Sequence, residues 1–338
     1  HRSAGKMDGT YGAGMLSRLD AEGRVHGEMG HATKSGRLQS KAPNLQNLTH
    51  HTAFPCPFCR GAGCGECEEG LYHAANDFRR CVVAAPGCKL ISADFSAIEA
   101  VLTGYFCGDP EFIRLAKLSI HSYVMSHAVG EPVDKRWSDV DIRTAFAKQK
   151  ERFPLDYEKN KRGVYLTLYG GTAYTMADIY PELFPKKKDA ERVQQLIFDM
   201  LPVIPKWHGL LRDAADKQKR LGGPGDLAHY LKFPGTPGPH PFGYRAEFYE
   251  VYRWQRGAGG KYVKRLGDDG KWCVAFFPQS TAAGVIFQAT LQLFDPAGPL
   301  WIGDAFRGKS PLRALIHDDV SRASVHACRT GARRSCWR

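Results

Sequence analysis

The chain has 338 residues, 43% of them hydrophobic, with 47 Lys and Arg against 35 Asp and Glu, which is enough for one large or two ordinary domains with real cores and excludes disorder throughout. A formal charge of +12 and a pI near 9.2 create an outward positive field. That favours polyanionic partners, nucleic acid first among them, while the lack of any run near the roughly 18 apolar residues of a membrane span argues against membrane contact.

The chain opens at His1 with no basic-then-apolar leader, so the expectation is a piece of a soluble, non-secreted protein. The first punctuation along it is a Gly/Cys-rich stretch at 56–70, where four of the ten cysteines stand as Cys56-x2-Cys59-x4-Cys64-x2-Cys67. Thiolates at x2 spacing share one turn, and such a set can wrap one structural Zn2+. Free or redox-active cysteines are the alternative; catalytic zinc is not, because four thiolates leave no open position. The remaining cysteines are scattered and read as small buried hydrophobes.

Next, Leu90-Ile91 predicts a short strand ending in Asp94. Ser96 followed by Glu99, with Ile98, Val101, Leu102 and Tyr105 on one face, predicts a helix opened by a capping box. Asp109-Pro110 predicts another helix start, with Asp as N-cap and Pro at the first helical position. Lys161, Tyr165 and Tyr169 recur every four residues, so on a helix they form one face with a cation and two rings. Such a face can hold a triphosphate and stack a base, or can be an ordinary packed face. Periodicity predicts helices over 192–215 and 280–294, separated by a Gly/Pro-rich seam at 222–243. Ala314-Leu315-Ile316 predicts a second strand that delivers carboxylates, Asp318 and Asp319. After Val320 the chain is Arg/Ser/Cys-rich without apolar periodicity. Separated strands and helical blocks make this an α+β protein.

Several of these words are specific. Asp94-Phe95-Ser96-Ala97-Ile98-Glu99 and His317-Asp318-Asp319 resemble motifs A and C of the family A, DNA polymerase I-like, DNA polymerases, which usually carry Asp-Tyr-Ser-Gln-Ile-Glu and His-Asp-Glu. The run from Lys161-Arg162-Gly163 to Tyr169-Gly170 resembles their motif B. Gly36-Arg37-Leu38-Gln39-Ser40 and Pro43-Asn44-Leu45-Gln46-Asn47 are similar to the stretch that runs beside the primer-template minor groove. Phe277-Pro278-Gln279-Ser280-Thr281 is similar to a helix supplying another amide there. The resemblance runs from about residue 25 to Val320.

What the resemblance implies is a right-hand polymerase fold with an antiparallel-sheet palm, helical fingers and a thumb largely absent. The expected parts are 1–118 (thumb end and first palm segment, with the 56–70 insertion), 119–237 (fingers), 238–320 (second palm segment) and a divergent basic tail, 321–338. The implied activity is DNA-directed DNA synthesis, nucleotidyl transfer from a dNTP to a primer 3'-OH. Two Mg2+ ions would be held by Asp94, Asp318 and the Phe95 carbonyl. Lys161 and His121 would contact the incoming phosphates, Tyr165 the sugar and base, and Tyr169 the base of the fingers near the template. Glu99 would wall off the sugar 2' position, and a capping role is compatible with that. Arg37, Asn44, Gln46, Asn47, Gln279 and His317 would contact DNA; Arg79 and Arg80 would face backbone phosphate or solvent. Tyr165, where the family has Phe or Tyr, implies easy incorporation of dideoxynucleotides. Two departures stand out: Asp319 replaces the usual Glu, and Tyr157 replaces the arginine four residues before the motif B lysine. The implied partners are primer-template DNA, dNTPs and replication accessory proteins, in the cytoplasm of a bacterial or phage-infected cell. Two rival readings are a phage-type single-subunit RNA polymerase, whose motif B also reads Lys-Arg then Tyr-Gly, and a catalytically incompetent nucleic-acid-binding fragment.

Overall fold

The computed structural model describes residues 12–30, 33–47, 52–55, 64–65, 71–74, 83, 88–217, 229–230, 241–244, 246–294, 297, 312–316 and 322–328. The chain divides into two compact units, His1–Phe95 with Ile286–Arg338, and Ser96–Val285.

The first unit begins with a single helical turn, Gly14–Leu16, and a loop organised by Asp20. The Asp20 carboxylate accepts from the Arg24 and Glu22 amides and meets His26, and these contacts, Arg24 foremost, hold its pKa below the usual value. Strands β1 (Glu28–Gly30) and β2 (Gln39–Lys41) pair antiparallel, Glu28 opposite Lys41. Strands β3 (Thr52–Pro55) and β4 (Leu71–Ala74) form a second antiparallel pair, closed by Pro55 opposite Leu71. The whole cysteine stretch, 56–70, is therefore the connection of one hairpin. Cys64 alone of its four cysteines is described; Cys56, Cys59 and Cys67 lie outside the described residues, as do Arg79 and Arg80. Strand β5 (Cys88–Asp94) follows, as the apolar run Leu90-Ile91 predicts.

The second unit opens with helix α1 (Ile98–Cys107), whose N-cap is not Ser96 but Ala97, in left-handed backbone geometry (φ 49°). No side-chain cap bond forms there, and Glu99 falls one position too early for a capping box, so that expectation is corrected. Helix α2 (Pro110–Leu118) starts as predicted, with the Asp109 side chain accepting from the Phe112 amide. Then come α3 (Ile120–Ala128), α4 (Asp139–Arg152, capped by Ser138), α5 (Pro154–Leu168) and α6 (Ala173–Ile179). The segment read as one helix over 192–215 is two, α7 (Lys187–Met200) and α8 (Val203–Lys217). Pro202 explains the break: the residue before a proline is pushed out of helical geometry, and Leu201 sits at φ −130°, ψ 65°.

These helices share one core, with Phe112, Leu115, Ile120, Val124, Ile142, Val164, Leu168, Met176, Ile197 and Ile204 buried. Each such side chain contributes about 1.5–3 kcal/mol on burial. Gly163 lets α5 approach α7 closely, since a Cβ there would stand 2.7 Å from Val193 Cγ1.

Short pairings β6 (His229–Tyr230) with β7 (Glu247–Phe248) and β8 (Tyr252–Arg256) with β9 (Tyr262–Leu266) precede the long helix α9 (Asp269–Phe294). This helix begins well before the predicted 280 and carries Pro278 inside it. Its first turns join a second core with Trp207, Leu211, Phe248, Val251, Val274, Phe276 and Phe277.

The chain finishes, in the first unit, with β10 (Leu312–Ile316) and β11 (Arg322–Cys328). The sheet order is β10-β11-β5, antiparallel throughout. The stretch after Val320, expected to lack structure of this kind, thus supplies the central strand. Its signal was a period of two that a search for helical or continuous apolar runs passes over: Ala323, Val325 and Ala327 alternate with polar residues.

Candidate active site

Two groups of residues carry chemistry, and each belongs to its own unit. In the first unit the register of the three-stranded sheet is decisive. Arg322 on β11 pairs with Asp94 on one side and with Ile316 on the other. Strands β5 and β10 therefore run parallel, with β11 between them, and leave the sheet at the same end, ~10 Å apart at ordinary strand spacing. Asp94 is exposed at that end, and Phe95 beside it is 42% exposed. His317, Asp318 and Asp319 lie outside the described residues, but the strand leading directly into them stops in register with Asp94. An exposed carboxylate at a strand end is a hard oxygen ligand suited to Mg2+, so Asp94 fits the implied metals.

The primer-side words also lie in this unit. Gln46 is buried and accepts from the Ser40 amide through its Oε1, while the Asn44 side chain accepts from the Gln46 amide. Arg37 is half-buried, with its carbonyl accepting from the Thr33 hydroxyl. Asn47 ends the short 3-10 turn Leu45–Asn47.

In the second unit, Glu99 sits in the first turn of α1 and is only 1% exposed. Helix α5 presents Tyr157, Lys161 and Tyr165 on successive turns, and Tyr169 caps its end. The rings of Tyr165 and Tyr169 are 6.4 Å apart, and His121 on α3 is 6.2 Å from Tyr165. His121 is 8% exposed, and its Nε2 meets the Tyr157 hydroxyl at 3.0 Å. Burial, reinforced by the charges of Lys161 and Lys150, pushes its pKa down to about 4, so the imidazole is neutral at pH 7. Lys161 lies 4.0 Å from Glu158, and Lys150 on α4 stands 4.5 Å from the Tyr157 ring centroid.

The sequence reading missed what holds this helix in place. Arg212 on α8 donates to the Gly170 carbonyl at 3.3 Å and to the Gly270 carbonyl at 2.9 Å, tying the end of α5 to the start of α9. Burial lowers its pKa. His208, one turn earlier, hydrogen-bonds the backbone of Leu168, and burial, with Arg212 beside it, lowers its pKa to about 3. Lys150 was missed too; it sits in no motif and is recognisable only by its position over Tyr157. Gln279 is half-buried, one residue past the proline of α9.

The family model for DNA polymerase family A matches residues 1–221. The chain belongs to DNA polymerase family A. DNA polymerase I of Chloroflexus aurantiacus is 29% identical over 184 residues, covering 52% of this chain and 15% of the relative. The thermostable DNA polymerase I of Thermus thermophilus is 26% identical over 211 residues, 61% of this chain and 21% of the relative. The chain thus spans between about a seventh and a fifth of the length of these family A relatives. The polymerase domain of Pol1 from M. smegmatis, solved in complex with DNA primer-template and dNTP, is similar in fold with a TM-score of 0.62. It is 21% identical, and the likeness covers 98% of this chain and 46% of that one. The mixed architecture of helices and small antiparallel sheets is therefore that of a family A polymerase domain. Among the described residues no helix is long and apolar enough to cross a membrane.

Proposed function

We propose that this chain carries out template-directed DNA synthesis, joining a dNTP to a primer 3'-OH. The observation that carries the reading is the common end of β5 and β10, one strand apart in the same sheet, with Asp94 closing β5 and Asp318 two residues after β10 in the sequence. Family A DNA polymerases use divalent metal ions. Two Mg2+ bound by Asp94, Asp318 and the Phe95 carbonyl would supply charge neutralisation and activation of the attacking hydroxyl.

The chain's own residues do the rest. Lys161 offsets charge on the triphosphate, and Tyr165 offers its ring to the sugar and base, with Tyr169 behind it. His121, held neutral, keeps one ring N–H with which it can donate a hydrogen bond to a phosphate oxygen. Glu99, a carboxylate enclosed in the first turn of α1, leaves no room for a 2'-hydroxyl. Arg37, Asn44, Gln46, Asn47, Gln279 and His317 are the proposed contacts to primer and template, where minor-groove acceptors common to all pairs can be checked without reading sequence.

In this reading 1–118 supplies the end of the thumb and the first palm segment, 119–237 the fingers and 238–320 the second palm segment. Cys56, Cys59, Cys64 and Cys67 hold a structural Zn2+ in the β3–β4 connection. Accessory replication proteins remain proposed partners. Membership of the DNA polymerase family turns the reading away from the phage-type RNA polymerase.

Primer extension on primed DNA with Mg2+, supplying dNTPs and rNTPs separately, tests this. Extension with dNTPs alone, lost in Asp94→Ala, is the expected result. Extension with rNTPs at equal rate would overturn the role given to Glu99, and unchanged synthesis by Asp94→Ala would overturn the metal site.

A further inference from the structure

The β8–β9 hairpin has a composition that the polymerase motifs do not account for. Between Tyr252 and Leu266 it carries Arg253, Arg256, Lys261, Lys264 and Arg265 with no acidic residue, together with Tyr252, Trp254 and Tyr262. Its register sorts these side chains. Trp254 lies opposite Lys264 and Arg256 opposite Tyr262, so the two outer cross-strand pairs on one face each join a ring to a cation. On the other face Arg253 lies directly opposite Arg265, a like-charge pairing that disfavours the hairpin unless an anion lies nearby.

The base of the hairpin is tied down. The Tyr252 hydroxyl donates to Asp213, Lys264 reaches Asp216 at 3.2 Å, and Arg253 stands 4.0 Å from Asp268. The tip is not. Arg256 and Lys261 there, like Arg265 nearer the base, make no ion pair among the described residues, and Trp254 and Tyr262 are 65% and 67% exposed. Gly259 and Gly260, at φ 78° and 77°, turn the chain there in a geometry that side chains disfavour. Residues 253–256 and 261–265 are exposed on both faces. A two-stranded hairpin without a covered face is marginal in water, and large exposed rings are retained at odds with that unless something stacks on them.

We propose that this hairpin is a docking surface for single-stranded DNA, with bases stacking on Trp254 and Tyr262 and the phosphates meeting Arg256 on the same face, while Lys261 and Arg265 on the opposite face add to the local positive field. Two exposed rings with the Arg256 cation on one face provide both components of such binding, a π-face for a base and a charge for the backbone beside it. This contact goes beyond nucleotidyl transfer and does not require Asp94.

The test is fluorescence anisotropy of a labelled oligothymidylate of ~16 nucleotides across a salt series, with far-UV circular dichroism and melting curves of each variant. Trp254→Ala is expected to weaken binding by about 5- to 100-fold, Trp254→Phe to keep most of it, and Trp254→Leu, which preserves apolar bulk, to lose it. Arg256→Ala should lower the slope of log affinity against log salt by about 0.7, and Lys261→Ala with Arg265→Ala, on the opposite face, should change it less. Binding unaltered in Trp254→Ala and Trp254→Leu overturns the proposal. So does a loss shared equally by heparin or duplex DNA, which would make the hairpin a general anion patch. Asp94→Ala binds oligothymidylate like the unmodified chain, so failure of this contact and failure of the synthesis reading are separable.

Discussion

The end of the three-stranded sheet and the cluster on α3 and α5 solve opposite electrostatic problems. At the sheet end Asp94 is exposed, where a carboxylate can exchange water for a metal. In the helical cluster His121 is enclosed by Tyr157 and Tyr165, with Lys150 and Lys161 close by, and burial keeps it uncharged. The first arrangement concentrates negative charge where it can be neutralised by ligand. The second fixes neutral rings in place and leaves the positive charge to side chains around them. Substitutions in the two regions should therefore carry different signatures, in turnover for the first and in nucleotide affinity and stability for the second.

The largest effect is expected from Asp94→Ala, which should lower the turnover of primer extension by at least about a thousandfold, because metal charge stabilisation amounts to several kcal/mol. Salt-dependent DNA binding by that variant should stay almost intact. A parallel loss of binding would show that the sheet end is a DNA contact and would break the contrast.

Arg212→Ala removes the donor to the Gly170 and Gly270 carbonyls. Losing these two hydrogen bonds should destabilise the second unit by about 1–3 kcal/mol, read as a lowered urea midpoint.

Acid should act through the enclosed imidazoles. His121 is held at about 4 and His208 at about 3, both below the ordinary 6.5. Below pH 6.5 the unfolded chain takes up protons that the folded chain refuses, so stability falls as pH drops from about 6.5 to about 4, and for His208 further to about 3. On the order of 1–3 kcal/mol is at stake for His121. His121→Gln should flatten that part of a melting-temperature profile, and an unchanged profile would remove His121 from the account.

Smaller again, Tyr157→Phe deletes the hydroxyl that meets His121 Nε2. It should raise the KM for dNTP severalfold, in keeping with about 0.5–1.5 kcal/mol for one hydrogen bond, while kcat changes little. Tyr165→Phe should sharpen discrimination against dideoxynucleotides, measured by competition in chain termination. If it changes nothing, α5 is not the nucleotide helix.

The sequence determined the local features: the strand running into Asp94, the Asp109-Pro110 helix start, the Lys161-Tyr165-Tyr169 face and the words that mark the family. Each rests on residues within a turn or two of one another, where periodicity, capping and turn chemistry are set by neighbours in the chain. Tertiary structure decided the rest. It made Ala97 rather than Ser96 the cap of α1, recruited the segment after Val320 as the central strand, and gave Arg322 the register that aligns Asp94 with Ile316. It also chose His121 and His208 as neutral and placed Arg212 between the end of α5 and the start of α9. Strand register and desolvation depend on which distant segments come into contact, and that information is spread over residues hundreds of positions apart, beyond the reach of any local pattern.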